Sequence, residues 1–224
     1  YLEAHLRRLL PRNGAIYLGQ HGACEPFDYQ LEPASKALHM LRPRILIGDA
    51  VGLGKTIECG ILLSELIRRG KAQRILVAVP KAVLNQFQME MWGRFSIPFH
   101  RLDSKGLEKL RQDLPSTMNP FYHFNRVIIS IDTLKLKKYQ QLLSNCYWDV
   151  LVIDEAHNVA DRTDGGGGSA RHRVAKMLAE RSRAVILMSA TPHDGTRYGF
   201  ASLIKLLDRT AIPSDENYGK EHIQ

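Results

Sequence analysis

A chain of 224 residues can bury one full hydrophobic core, and 44% hydrophobic against 24% charged residues is the balance of a water-soluble globular protein. No apolar stretch approaches the roughly 18 to 20 residues of a membrane span and no secretory signal is visible, so the expectation is a soluble, cytoplasmic protein without a membrane partner. The 31 Lys and Arg against 23 Asp and Glu leave a net charge of +8, which favours a polyanionic partner without identifying it.

In chain order, residues 1–41 read as a predominantly helical segment ahead of the first sheet strand, 42–210 as one α/β lobe, and 211–224 as a polar tail. The lobe alternates short β-branched runs with amphipathic stretches, the pattern of a parallel sheet flanked by helices. Strands are expected over 44–49, 74–79, 99–102, 126–131, 149–153 and 184–188. Most are apolar on both faces, as strands covered on both sides must be. Helices are expected over 55–69, 82–95, 106–114, 134–144, 170–181 and 198–207. In the first of these, Ile57, Ile61, Leu62, Glu65 and Leu66 recur near the 3.6 period.

Cys24, Cys59 and Cys146 lie far apart and form no CxxC pair, so reduced thiols are expected. His21 and Cys24 have a ligand-like spacing, but two ligands do not make a zinc site and they read as loop residues. The start at Tyr1 without methionine and the polar end over 214–224 suggest a piece cut from a longer chain. The run Gly165-Gly166-Gly167-Gly168-Ser169 is expected to be a flexible stretch, either a native loop or a linker unit.

The strongest chemical signal is Asp49-Ala50-Val51-Gly52-Leu53-Gly54-Lys55-Thr56, which follows a strand and opens a helix. Glycines let the backbone curl until successive N–H groups converge on phosphate oxygens, and the helix N-terminus adds partial positive charge. Lys55 would reach the β- and γ-phosphates of ATP, and the Thr56 hydroxyl would ligate Mg²⁺. The cofactor segment is taken as Gly52, Leu53, Gly54, Lys55, Thr56 and Ile57. Asp49 stands where the strict pattern has glycine. A second strand ends in Asp154-Glu155-Ala156-His157. There Asp154 would hold Mg²⁺, and Glu155 would orient and deprotonate the attacking water. A third apolar strand ends in Ser189-Ala190-Thr191-Pro192, whose hydroxyls could hydrogen-bond towards the nucleotide and pass its state to another surface.

The order of these segments, with Phe27, Tyr29 and Gln30 ahead of them and Val79-Pro80-Lys81 and Ser130-Ile131-Asp132-Thr133 between, resembles the first lobe of superfamily 2 helicases. Within that superfamily, Asp49 to Glu58 and Ser189-Ala190-Thr191-Pro192-His193 resemble the Swi/Snf branch, and its bacterial division most of all. The resemblance covers about residues 27–207. It implies a RecA-like P-loop fold in which the Ser189 strand lies between the phosphate-loop and Asp154 strands. It implies that Gln30 hydrogen-bonds the adenine edge, with Phe27 or Tyr29 near the ring. It also implies nucleic-acid backbone contacts from Lys81, Asn85, Gln86 and Thr133. Ala50 departs from the acidic residue common in this branch, which leaves the loop contacts open.

Such a lobe would work as a duplex-DNA translocase powered by Mg·ATP, paired with a second RecA-like lobe that supplies arginines to the γ-phosphate. Strand separation on DNA or RNA, and ATP-dependent binding without turnover, are the alternatives. Basic runs such as Lys135-Leu136-Lys137-Lys138 read first as the wet face or end of a helix, with phosphate binding the alternative.

Overall fold

The computed structural model describes residues 14–17, 23, 25–161, 168–192 and 197–211. His21, Cys24, Arg162, Gly165, Gly166, Gly167, His193 and the tail from residue 212 lie outside them.

Among the described residues, six parallel strands form one sheet: β1 (Arg44–Ile47), β2 (Ile75–Val79), β3 (His100–Arg101), β4 (Arg126–Ser130), β5 (Trp148–Ile153) and β6 (Ser182–Met188). Their spatial order is β1-β6-β5-β2-β4-β3, which sets the Ser189 strand between the phosphate-loop and Asp154 strands as expected. The two-residue period of a strand divides the apolar side chains between two cores. Ile75, Val77, Val79, Val150, Val152, Ile186 and Met188 face one. Leu76, Ala78, Leu151, Ile153, Val185 and Leu187 face the other. Each fully buried aliphatic side chain contributes about 1.5–3 kcal/mol relative to an exposed one, so both faces need a helical cover.

On the first face lie α1 (Asp28–Leu38), α2 (Lys55–Arg68) and α3 (Leu84–Phe95), through residues such as Ala34, Ile61 and Phe87. On the second lie α4 (Ser104–Asp113), α5 (Ile131–Leu134), α6 (Lys137–Ser144), α7 (Ala170–Glu180) and α8 (Arg197–Leu207). Leu107, Leu134, Leu143, Leu178 and Leu203 are their anchors. At the sheet's amino end, Arg44 donates to the carbonyls of Ala179, Ser182, Leu206 and Leu207. One guanidinium thus satisfies the open C-terminal carbonyls of α7 and α8 and ties both helices to β1.

Several boundaries differ from the sequence reading. The helix expected over 134–144 is two helices, because Leu136 is extended (φ −66°, ψ 127°) and Ser130 caps an earlier start by accepting from Thr133 N. α4 begins at Ser104 rather than residue 106, because the Asp103 carboxylate accepts from Gly106 N. β3 keeps only His100 and Arg101, since it is an edge strand paired with β4 alone. Of the segment expected to be helical over 1–41, α1 is the helix among the described residues. Cys59 and Cys146 are buried free thiols, as expected of reduced cysteines.

One buried group in α2 carries a cost. Glu58 is fully buried, and neither carboxylate oxygen has a hydrogen-bond partner. Burial, reinforced by the neighbouring Asp49 carboxyl, pushes its pKa up to about 8. In the unfolded chain the group ionises near its ordinary 4.5, whereas the folded chain keeps it protonated up to about 8. Between those values the unfolded state binds fewer protons, so the contribution of Glu58 to stability falls as pH rises. Relative to Glu58→Gln, the wild-type protein should lose stability across that window, by at most about 1.4 kcal/mol per pH unit. Urea melts of both proteins over a pH series read the difference. A difference independent of pH would contradict the assignment.

Candidate nucleotide site and nucleic-acid face

Parallel strands point their carboxyl ends the same way, and register decides which loops meet there. Ile47 of β1 pairs with Met188 of β6, and Leu187 of β6 with Ile153 of β5. The loops opening at Gly48, Ser189 and Asp154 therefore emerge side by side. Two main-chain bonds fix the rims: Ser189 N donates to Ile47 O (3.0 Å) and Asp154 N to Ala78 O (3.0 Å).

The loop after β1 turns on Gly52 (φ 87°) and Gly54 (φ 96°), left-handed positions that an L side chain rarely adopts. At Gly54 a Cβ would also collide with Gln30 Nε2. Lys55 opens α2, and its ammonium donates to the carbonyls of Asp49 (2.7 Å) and Ala50 (3.1 Å). The cation is thereby held against the loop, at the start of the helix. Thr56 and Ile57 follow in the first turn, both partly exposed.

Gln30 is almost fully buried, and both ends of its amide are engaged. Nε2 donates to Leu53 O (2.8 Å), and Oε1 accepts from Phe27 N (3.0 Å). Tyr29 OH also donates to Leu53 O (3.0 Å). The Phe27 and Tyr29 rings stack at 5.7 Å, and both are exposed. The segment foreseen as an adenine reader is in contact with the phosphate loop itself.

At the end of β5, burial pushes the Asp154 carboxyl up to about 6, while the Glu155 N–H bond to its Oδ1 (2.9 Å) works in the opposite direction. Glu155 adopts a left-handed conformation (φ 49°, ψ 52°), which costs energy in a residue with a Cβ. His157 Nδ1 lies 3.2 Å from Glu155 Oε2 and 3.1 Å from the hydroxyl of Ser189, which is fully buried. Ser189 Oγ in turn accepts from Thr191 N (3.3 Å). Asp154, Glu155, Ser189 and Thr191 thus form a connected polar network, with Ala190 partly buried between its two hydroxyl neighbours. His157 is the member the sequence reading left without a role, although its place beside Glu155 was visible.

Further along the same edge, Val79 pairs with Ser130 and Arg101 with Ile128. The loops after β2, β3 and β4 enclose a cavity of about 480 Å³ whose lining includes Lys81, Arg101, Ser104, Lys105, Ser130 and Thr133. Two of the foreseen contacts, Lys81 and Thr133, therefore meet. Asn85 reaches the rim by accepting from Arg101 NH1 (2.6 Å). Gln86 does not join them: its Nε2 donates to Glu90 Oε1 along α3. Arg101, Ser104 and Lys105 were missed. Their only local signal was the Asp103 cap, and the β3–β4 pairing that carries them here is a tertiary fact. Among the described residues no cluster of His, Cys, Asp and Glu could hold a metal ion unaided, and no helix is long and apolar enough to cross a membrane.

The SNF2-related domain matches residues 36–223. Curated relatives include the RNA polymerase-associated protein RapA of Sodalis glossinidius (strain morsitans), 37% identical over 182 residues. That match takes 80% of this chain and 18% of the relative. RapA of Vibrio atlanticus (strain LGP32) is 34% identical over 198 residues, 88% of this chain and 20% of the relative. The chain therefore spans about a fifth of the length of these relatives. Among solved structures, the Sulfolobus solfataricus SWI2/SNF2 ATPase core in complex with dsDNA superposes with a TM-score of 0.71 at 18% identity. It covers 89% of this chain and 39% of that one. The same core domain in another structure gives 0.64 at 19% identity, over 86% and 38%. These likenesses carry the RecA-like fold, and the domain match with the RapA identities carries the family: the chain belongs to the SNF2-related domain family.

Proposed function

We propose that this chain is the ATP-binding and hydrolysing lobe of a nucleic-acid-dependent motor, a translocase on double-stranded DNA. The observation that carries the reading is the shared sheet edge. The Lys55 loop, Ser189 and the Asp154–Glu155 pair occupy three adjacent strand ends, and the basic cavity of Lys81 and Thr133 occupies the next ones. The association of RapA with RNA polymerase and the dsDNA bound to the Sulfolobus core support nucleic acid, and duplex in particular.

In this reading Lys55 gives up its loop carbonyls to become the counter-charge of the β- and γ-phosphates. Thr56 and Asp154 are hard oxygen donors that fit Mg²⁺, and a divalent cation would offset the cost of an ionised, largely buried Asp154. Mg²⁺ when bound neutralises charge on the phosphate oxygens. Glu155 leaves His157 to accept a proton from water as the water oxygen bonds to the γ-phosphorus and the bond to the β-phosphate oxygen breaks. Gln30 and Tyr29 release Leu53 O to read the adenine edge. Ser189, Ala190 and Thr191 pass the state of Glu155 outward through His157. Arginines for the transferring phosphoryl would come from a second lobe, since Arg171 and Arg173 are engaged by Asp132 and by Gly168 O.

Two outcomes follow. Lys55→Ala should weaken ATP binding by about ten- to a hundredfold, the worth of a charge-assisted contact, while Glu155→Gln should bind within about twofold of wild type. Glu155→Gln should also slow single-turnover hydrolysis by at least about a hundredfold. Equilibrium titration and quenched single turnovers read both, and equal losses of affinity would remove Glu155 from its role.

Affinity for random-sequence duplex should fall steeply with salt. If Lys81, Arg101 and Lys105 each neutralise a phosphate, log K against log salt should slope by about −3. Titrations at several salt concentrations measure it, and a flat profile or a strong preference for one sequence would contradict phosphate contact.

A further inference from the structure

The α7 helix starts immediately after the glycine run, and its first turn contacts both the cavity lining and the 3-10 helix that follows Glu155. Ser169 Oγ caps the helix by accepting from His172 N (3.1 Å), which fixes the direction in which residues 171 and 172 leave the backbone. Arg171 turns towards the cavity: Nε (3.0 Å) and NH2 (2.8 Å) both donate to Asp132 Oδ1. Asp132 belongs to the first turn of α5, lines the cavity beside Thr133, and takes a third donor on the same oxygen from Lys135 Nζ (2.7 Å). His172 turns towards the 3-10 helix that follows Glu155: its Nδ1 lies 2.9 Å from Val159 O, and because a carbonyl only accepts, Nδ1 donates. Val159 closes the short 3-10 helix Ala156–Val159 that begins directly after Glu155.

Glu155 is the strained hinge of that helix, held in the left-handed region with a side chain in place. A change of backbone at Glu155 would re-aim the short helix that follows it, which ends on the carbonyl that His172 holds. Asp161 N, just beyond, donates to Ser202 Oγ on α8, which anchors the far end of the segment.

We propose that the first turn of α7 is a strut between the nucleotide site and the nucleic-acid cavity, with Arg171 and His172 as its two positioning residues. The inference rests on the functional reading above. Arg171 and Asp132 are both half-exposed, so the pair adds little to stability. Its consequence is geometric: it ties a segment of the cavity to a helix that is itself tied to Val159, at the end of the 3-10 helix that follows Glu155. A strut of this kind shows itself as a coupling of affinities rather than as a change in either affinity alone.

The test measures the affinity of a random-sequence duplex by fluorescence anisotropy, with and without Mg²⁺ plus a non-hydrolysable ATP analogue. The ratio of the two is expected to be at least about fivefold for the wild type. In Arg171→Ala and in His172→Ala the ratio should fall to within about twofold of one, with analogue affinity in the absence of duplex unchanged. Lys135→Ala removes a cation from the same Asp132 oxygen without touching α7, so it should keep the wild-type ratio. Arg171→Lys, which retains one donor, should recover part of it. Thermal melts establish that each variant is folded. A wild-type ratio of one would sink the motor reading, and the strut with it. A coupled wild type with an undisturbed ratio in Arg171→Ala would overturn the strut alone, as would a collapse in Lys135→Ala equal to that in Arg171→Ala, which would leave only charge masking.

Discussion

The hydrogen-bond register of β1, β6 and β5 is the constraint on which the rest of the structure depends. Phosphate loop, carboxylates and hydroxyl pair are far apart along the chain, at Lys55, Asp154 and Ser189. They meet because Ile47, Met188 and Ile153 end their strands within a residue of the same level. A shift of one residue in β6 would also turn Val185 and Leu187 to the opposite core, so burial defends the register strongly. The geometry of the site is thus protected by the apolar packing of the sheet. The same logic continues across β2 and β4, whose ends carry the basic cavity.

Against that rigid sheet, the edge itself holds several locally unfavourable groups. Glu58 is buried without a partner, Asp154 is desolvated, and Glu155 sits in a left-handed conformation. Residues that break local rules while their surroundings are well packed are expected where a structure is built to bind or to switch. In the proposed role two of them have a counterpart, a divalent cation for Asp154 and a relaxed backbone for Glu155, while burial beside Asp49 keeps Glu58 protonated.

Much of this was legible in the sequence because the strands are apolar on both faces. Val150-Leu151-Val152-Ile153 and Ile75-Leu76-Val77-Ala78-Val79 can only be strands between two helical layers, and both lie where they were placed. The same pattern put Asp154 and Ser189 just beyond strand ends, and the structure has them there. Less legible was anything decided across the fold. Leu136 breaks a helix whose apolar period runs on through it. Arg101 and Lys105 reach the cavity only through the pairing of an edge strand. Arg171 and Asp132 are 39 residues apart, and nothing in either local pattern announces their contact. Gln86 was assigned from a neighbouring motif, yet an in-helix bond to Glu90 holds it away from the cavity.

The central claim is that Lys55, Thr56 and Asp154 form one site for a nucleotide together with its metal. Calorimetric titration of ATP into the 224-residue chain, once with excess Mg²⁺ and once with the metal chelated, tests it most directly. The account predicts one-to-one binding that weakens by at least about tenfold without the metal, because the Asp154 charge then has no cation to offset it. No binding of ATP, or binding indifferent to Mg²⁺, would contradict it.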